Sequence, residues 1–283
     1  MKKLCDLHCH SVYSDGSLTP AELVEAAVRQ GLTALALTDH DTTQGLAEFT
    51  AAAKGRLEAI RGVEVSTLYH GKIQHIHALF LPPEQDAALL AYMEEGNKRD
   101  REIERFVVDW INCKGYSVDY DTLMKDAPGS YVIPMTLHLR DCGYASETME
   151  ARLLLRKLVA ETRAFRPPIC RPDAVETVRF IRSLGAVPVW AHPFVTLSEE
   201  EIPGFLEQAV PAGLQGMEVF YYSYDEETTQ KSLVLADRFG LRYSGGSDFH
   251  GILRPTVQIG CGKGKLSVPY SLCTALKNTL VGG

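Results

Sequence analysis

The chain has 283 residues, of which 45% are hydrophobic and 23% charged. That is long enough for one large domain with a substantial core, and too evenly mixed for a disordered chain. A net charge of −7 argues against a general nucleic-acid coat, and no apolar run is long enough to span a membrane. The opening MKKLCDLHCH lacks an apolar stretch of signal length, so a cytoplasmic address is expected. Seven cysteines, odd in number and never spaced Cys-x-x-Cys, indicate neither a disulfide framework nor a thiolate zinc site. They are expected to be reduced and mostly buried.

In chain order, the first strand is expected over Leu4–His10, with Asp6, His8 and His10 on one face and Leu7 and Cys9 on the other. Two imidazoles about 7 Å apart at their bases can converge on one ion. A helix follows: Thr19 can cap it, Pro20 fits its first position, Glu22 completes a capping box and Gly31 closes it. Further strands are predicted at Leu32–Thr38, Ala59–Val65 and Ile76–Leu81, each apolar enough for a covered parallel sheet. From Glu84 to Arg166 the rhythm breaks. Only helical stretches are predicted there, such as NKRDREIERFVVDWINCKG and SETMEARLLLRKLVAETRAF, between turns at Gly115 and Pro128-Gly129. Strands resume at Ala186–Ala191, Gly216–Phe220 and Arg242–Gly246, with helices starting near Asp173, at Ser198 with Glu201 three residues on, and near Asp225. The alternation means βα units, hence an α/β fold built on a parallel open sheet or a barrel. Residues 84–166 are then a helical insertion in a body formed by 1–83 and 167–283.

The metal-capable residues fall at strand ends on this map. His8 and His10 close the first strand, Asp15 lies in the loop after it, and Asp39-His40 close the second. Glu64 ends the third, His192 the fifth, and Asp248 with His250 the seventh. His75 and His77 start an apolar run and face the same way, so that one can be a ligand and the other a neighbour; His75 is favoured. Side chains at the carboxyl ends of parallel strands converge on one mouth. Imidazole and carboxylate without thiolate suit zinc, manganese or iron, with Glu64 and Asp248 as natural bridges between ions. Two ions roughly 3.5–4 Å apart can hold a hydroxide at neutral pH and clamp the oxygens of a phosphoryl group.

Six segments in order, DLHCHSVYSDG, ALTDHDT, RGVEVS, VWAHP, GMEVFYYSYDEE and GGSDFHG, resemble the successive motifs of the polymerase and histidinol phosphatase (PHP) family. The likeness is greatest to its stand-alone bacterial phosphoesterases. The resemblance implies a distorted (β/α)7 barrel holding two or three divalent ions, manganese, iron or zinc, that hydrolyses phosphate esters of a small phosphorylated metabolite or nucleotide. Matched position by position, it implies a first ion on His8, His10, Glu64 and Asp248, a second on Glu64, His75 and His192, and a third on Asp15, His40 and His250. Asp15 stands where some relatives have histidine. Asp39 is expected to orient a ligand rather than be one. Catalysis is assigned to Asp248, His192 and His250, either histidine being able to protonate the leaving group only where it is not committed to metal.

In nucleotide-cleaving relatives the resemblance implies an Arg-Pro-His element ahead of a Gly-Tyr pair. Before Gly143-Tyr144 this chain offers Val132-Ile133-Pro134 instead, so His138, Arg163, Arg166 and Arg171 are the candidates for gripping a substrate phosphate. A short oligonucleotide end would also suit such a site, and neither a membrane nor an obligate protein partner is indicated. GCGKGKLS fails the spacing of a phosphate loop, and the acids interleaved in NKRDREIERF fit a salt-bridged helix face. Two alternatives are a metal amidohydrolase, which the glutamate at the third strand and the Asp248/His250 pair oppose, and a non-catalytic metal-binding module.

Overall fold

A computed structural model of the chain describes residues 2–280 except 126 and 128, so the turn expected at Pro128 lies outside the described residues. The fold is α/β. Strands β1 (Leu4–Asp6), β2 (Ala34–Leu37) and β3 (Glu58–Arg61) run parallel, connected by helices α1 (Pro20–Arg29) and α2 (Leu46–Ala53). A final strand, β9 (Val268–Pro269), pairs antiparallel with β1 to give the order β3-β2-β1-β9. The second sheet holds β4 (Glu64–Tyr69), β5 (Lys72–Leu79), β6 (Val187–Trp190), β7 (Gly216–Tyr221) and β8 (Arg242–Gly246) in sequential order. The β6, β7 and β8 strands are parallel, whereas β5 is antiparallel to both β4 and β6.

This mixed sheet corrects the expectation of parallel strands throughout. The segment expected as one strand over 59–65 is two, and Glu64 begins β4 rather than ending its predecessor. The chain then reverses at His70-Gly71, where φ is +49° and +75°. Positive φ at both turn residues matches the twist of a two-residue hairpin. The hairpin brings β5 back so that His77 pairs with Glu64, and His75 with Ser66. The first strand is also shorter than expected. The buried Asp6 carboxylate ends it by accepting from the backbone N–H groups of His8, Ser247 and Gly260, at 3.3, 2.9 and 2.7 Å.

Local signals set the helix starts. Thr19 and Glu22 form the reciprocal capping box on α1. Asp173 caps α7 (Ala174–Ser183), accepting from the Val175 and Glu176 N–H groups, and Asp225 caps α10 (Glu226–Arg238), accepting from the Thr228 N–H. At Ser198 the expectation fails: the Glu201 carboxylate accepts from the Ser198 N–H at 2.9 Å, closing a turn, and α9 (Ile202–Ala209) starts after it. Leu23, Phe49, Val178, Trp190 and Phe205 pack in the main core.

Between β5 and β6 lie α3 (Asp86–Cys113), α4 (Tyr120–Met124), α5 (Val132–Asp141) and α6 (Thr148–Thr162). Ile103, Val107, Met135, Leu139, Leu155 and Leu158 form a separate cluster there, while Leu89 and Met93 at the start of α3 belong to the main core. Gly96 lets Arg171 cross α3, since a Cβ would lie 2.7 Å from its Nη1. Among the described residues no helix is long and apolar enough to cross a membrane. All seven cysteines are free, but only Cys5, Cys9 and Cys273 are buried, short of the expected majority. A short α8 (Pro193–Thr196) and α11 (Tyr270–Lys277) complete the chain's helices among the described residues.

Candidate metal centre

The two sheets meet where the metal-capable residues gather. The Glu64 N–H donates to the Asp39 carbonyl and the Asp41 N–H to that of Glu64, both at 3.1 Å. On the other side the His10 N–H donates to Phe249 at 3.0 Å and the Asp248 N–H to His8 at 2.9 Å. These bonds hold strand ends from both sheets around one space. Three residues there, Asp41, His192 and Asp248, have φ of +52°, +29° and +48°. Such backbone is uncommon outside glycine and persists only where its surroundings enforce it.

Glu64 is the centre of the group. Its Oε2 lies 3.0 Å from His8 Nε2, 3.1 Å from His10 Nε2 and 3.5 Å from His40 Nδ1. Its Oε1 lies 3.0 Å from His192 Nε2, 3.1 Å from His75 Nδ1 and 3.7 Å from His77 Nε2. Asp248 Oδ1 faces His10 Nε2 at 3.2 Å, His250 Nδ1 at 3.3 Å and His8 Nε2 at 3.4 Å. Asp15 Oδ1 faces His250 Nε2 at 3.1 Å.

All nine expected ligands are therefore brought together. Their donor atoms form overlapping groups that could each hold an ion: His10, Asp15, His40 and His250; His40, Glu64 and His75; His8, His192 and Asp248; and His8, Glu64 and His77. His8 Nε2 and His10 Nε2 stand 3.1 Å apart. Ligand atoms about 2.1 Å from a common ion are separated by about 3.0–3.4 Å, so these spacings fit a shared cation. Orphaned atoms point the same way: Asp15 Oδ1 and His40 Nδ1, both in the first of these groups, are buried without a hydrogen-bond partner.

Two outer carboxylates orient the imidazoles. Glu218, an acid in the otherwise apolar β7, meets His8 Nδ1 at 3.1 Å through Oε1 and accepts from the His192 N–H at 2.9 Å through Oε2. A carboxylate only accepts, so in the neutral ring Nδ1 of His8 carries the hydrogen and Nε2 presents its lone pair inward. Asp39 accepts from Ser11 N–H and Oγ and from Ser14 Oγ, at 2.7, 2.6 and 2.6 Å, and Ser14 Oγ lies 3.4 Å from His10 Nδ1. Asp39 thus reaches an imidazole only through the Ser14 hydroxyl. Sequence reasoning missed Glu218 as a site residue, together with Tyr221 and Arg254. The Tyr221 hydroxyl donates to Asp248 Oδ2 at 2.6 Å and Arg254 bonds the same oxygen, leaving Oδ1 for the imidazoles.

Burial alone would raise the carboxylates, but the surrounding imidazoles outweigh it. His8, His40 and His75 hold Glu64 well below the carboxylate range, and His8, His250 and Arg254 do the same for Asp248. His250, His40 and His10 likewise hold Asp15 low. Burial opposes charge on His10, yet Asp248 and Glu64 push it up to about 9. Glu64, Asp248 and Glu218 raise His8 despite its burial, and Glu64 raises His75. His40 is driven down to about 3, first by burial, and burial with the neighbouring His8 lowers His77.

A cavity of about 700 Å³ opens beside His40, His75 and Asp15 and is lined on its far side by α3 and α4. Gly129 closes the loop against the mouth: a Cβ would lie 2.2 Å from the Ser14 carbonyl, which accepts from the Ser130 N–H at 2.7 Å. Of the four expected phosphate contacts only Arg171 lines the cavity, where it pairs with Asp100 and lies 3.6 Å from Asp41. Arg163 and Arg166 follow the end of α6 outside that lining, and His138 Nε2 is bonded to the Ser117 carbonyl at 2.8 Å. Val132-Ile133-Pro134 opens α5 and brings no charge.

The model of the PHP domain matches residues 6–120. A 3′,5′-nucleoside bisphosphate phosphatase of Chromobacterium violaceum is 34% identical over 251 residues, covering 87% of this chain and 86% of that one. A 5′-3′ exoribonuclease of Haemophilus influenzae is 33% identical over 256 residues, covering 88% and 91%. A solved structure from Bifidobacterium adolescentis shares the fold with a TM-score of 0.81 at 24% identity, over 99% of both chains.

Proposed function

The chain belongs to the PHP domain family, and on that premise we propose that it is a metal-dependent phosphoesterase acting on a small phosphorylated nucleotide. The observation that carries this reading is the enclosure of two buried carboxylates, Glu64 and Asp248, by converging imidazole nitrogens. His8, His10, Glu64 and Asp248 would hold one ion, Glu64, His75 and His192 a second, and Asp15, His40 and His250 a third, with manganese, iron or zinc suited to the donor set. When bound, such ions supply Lewis acidity that activates water and neutralises charge on phosphoryl oxygens.

The chain's own groups do the rest. Glu64 and Asp248 stay ionised and would serve as ligands, Glu64 to two of the ions, while Glu218 and, through Ser14, Asp39 fix the imidazoles. In hydrolysis an oxygen–phosphorus bond forms from water, the ester bond breaks, and a proton reaches the leaving oxygen. His250 donates through Nδ1 to the Asp248 carbonyl at 2.9 Å, which turns its Nε2 toward the mouth. Where the third position is unfilled, that atom can hold the proton for the leaving group; as a ligand of a third ion it would present its lone pair instead. The cavity under α3 and α4, with Tyr13, Leu90, Tyr120 and Met124 in its lining, would take the organic part of the substrate.

On this reading residues 1–83 and 167–283 form the metal-binding body, a distorted (β/α)7 barrel closed through the inter-sheet bonds at Glu64 and Asp248, and 84–166 cap it. The names of relatives favour a nucleoside bisphosphate or the end of a short oligoribonucleotide as substrate. The test is phosphate release from adenosine 3′,5′-bisphosphate and p-nitrophenyl phosphate with Mn2+, beside an amide and a cyclic ureide. Phosphate release that chelation abolishes, and that Glu64→Gln lowers at least a thousandfold, is expected. Metal-independent release, or turnover of the ureide alone, would overturn the reading.

A further inference from the structure

The cations that line the cavity from α3 are answered by acids. Arg105 meets Asp121 at 2.8 Å and Arg101 meets Glu94 at 3.5 Å. A second group of cations beside the metal centre is answered by a single carboxylate, Asp248, among the described residues. Arg254, four residues after His250, reaches Asp248 with Nη1 and lies over Tyr222, its guanidinium carbon 5.2 Å from the ring centre. Lys263, from the glycine-rich GCGKGKLS turn, places Nζ 5.3 Å from the same ring centre. From the inserted helices, Arg152 of α6 donates through Nη1 to the carbonyl of Leu253, and Arg156 follows one turn on. Among the described residues, Asp248 is the one carboxylate paired with any of these four, and no protein acceptor meets Nε or Nη2 of Arg152 or Arg254.

Like charges held together in a chain of net charge −7 repel one another, and an anion would relieve that repulsion. Burial, then the charges of Arg254 and Arg156, lower the pKa of Arg152, which also feels Asp15 at the mouth. We propose that Arg152, Arg254 and Lys263 form a second anion subsite that takes a phosphate of the substrate other than the one being hydrolysed. This rests on the phosphoesterase reading of the metal centre. Two guanidinium groups offer forked donors that match phosphate oxygens, and the ammonium adds a point charge. Because Arg254 touches Asp248, the second phosphate would sit next to the reacting one. The same chemistry is presented by the other phosphate of a nucleoside bisphosphate and by the next phosphodiester of an oligonucleotide.

The test compares wild type with Arg152→Gln, Lys263→Gln and the double variant on p-nitrophenyl phosphate, adenosine 3′,5′-bisphosphate and a 5′-phosphorylated trinucleotide, all with Mn2+. In the double variant kcat/KM on a substrate with a second phosphate is expected to fall at least tenfold relative to p-nitrophenyl phosphate, through KM, with a flatter salt dependence. Arg152→Lys, which keeps the charge, is expected to retain most of the preference. A fall on the bisphosphate identifies a compact second phosphate; a fall on the trinucleotide alone identifies the next phosphodiester. Ratios within twofold of wild type on both would overturn the subsite. If wild type hydrolyses no phosphate ester, the phosphoesterase reading fails separately, and equilibrium binding of the bisphosphate decides the subsite: tenfold weakening supports it, equal binding refutes it.

Discussion

Replacing Glu218 by glutamine changes one oxygen to an NH2 group and leaves the shape almost intact. In the native chain each carboxylate oxygen has a donor to receive: Oε1 faces His8 Nδ1 at 3.1 Å and Oε2 accepts from the His192 N–H at 2.9 Å. A glutamine offers one accepting oxygen. If that oxygen serves His192, the NH2 group faces His8 and forces its Nδ1 to accept, moving the ring hydrogen to Nε2, the atom that points at Glu64 and Asp248. If it serves His8, the buried His192 N–H faces a second donor at a residue already in left-handed backbone. Either arrangement spoils an imidazole needed in the centre. Loss of a carboxylate that orients a metal-binding imidazole lowers affinity by about 10- to 100-fold, or about 1.4–2.7 kcal/mol. Competition for Mn2+ or Zn2+ against a chelating dye, on refolded metal-free protein, measures this directly. An affinity within twofold of wild type, in a variant with unchanged circular dichroism, would refute the orienting role.

Other outcomes follow from the same geometry. Ion binding should release protons, because burial opposed by Glu64 and Asp248 leaves His8 and His10 protonated in the metal-free protein, with His10 raised to about 9. Protons compete with metal, so affinity should rise with pH from 6 to 9 and titration calorimetry in buffers of different ionisation enthalpy should report net release; pH-independent affinity would contradict it. Tyr221→Phe removes the 2.6 Å bond to Asp248 Oδ2 and should lower metal-free stability by about 1 kcal/mol and metal affinity several-fold, read by denaturant melts and dye competition. His77 is buried with both nitrogens unpartnered, so His77→Leu should raise the melting temperature of the chelated protein while metal content stays the same. His75→Ala should instead lose an ion by elemental analysis; the reverse pair of results would make His77 the ligand.

Much of the site was legible because its residues sit at strand ends in the pattern that parallel βα units impose. Capping residues such as Thr19, Asp173 and Asp225 likewise marked their helices, since their side chains satisfy local N–H groups. The β4–β5 hairpin was hidden because the positions that face the metal centre, Glu64, Ser66, His75 and His77, are polar and break up the apolar run by which a strand is recognised. Their polarity is itself the mark of a strand that faces the metal centre. Glu218 left a signal in the sequence, a single acid inside GMEVFY, since a charge in a buried strand needs a donor. The pairing of Arg254 and Tyr221 with Asp248 left none. It depends on where the loop after β8 falls against the end of β7, which tertiary packing alone decides. The expected phosphate contacts at His138, Arg163 and Arg166 were placed by nearness in sequence to a missing motif, and helices α5 and α6 carry them away from the cavity lining.

The central claim is that these side chains surround cations. Anomalous diffraction from crystals grown with Mn2+, recorded above and below the manganese edge, tests it most directly. The account predicts peaks between Glu64 and the nitrogens of His8, His10, His75 and His192, with Asp248 contributing Oδ1. A map without anomalous density there, at metal concentrations that support phosphate release, would contradict it.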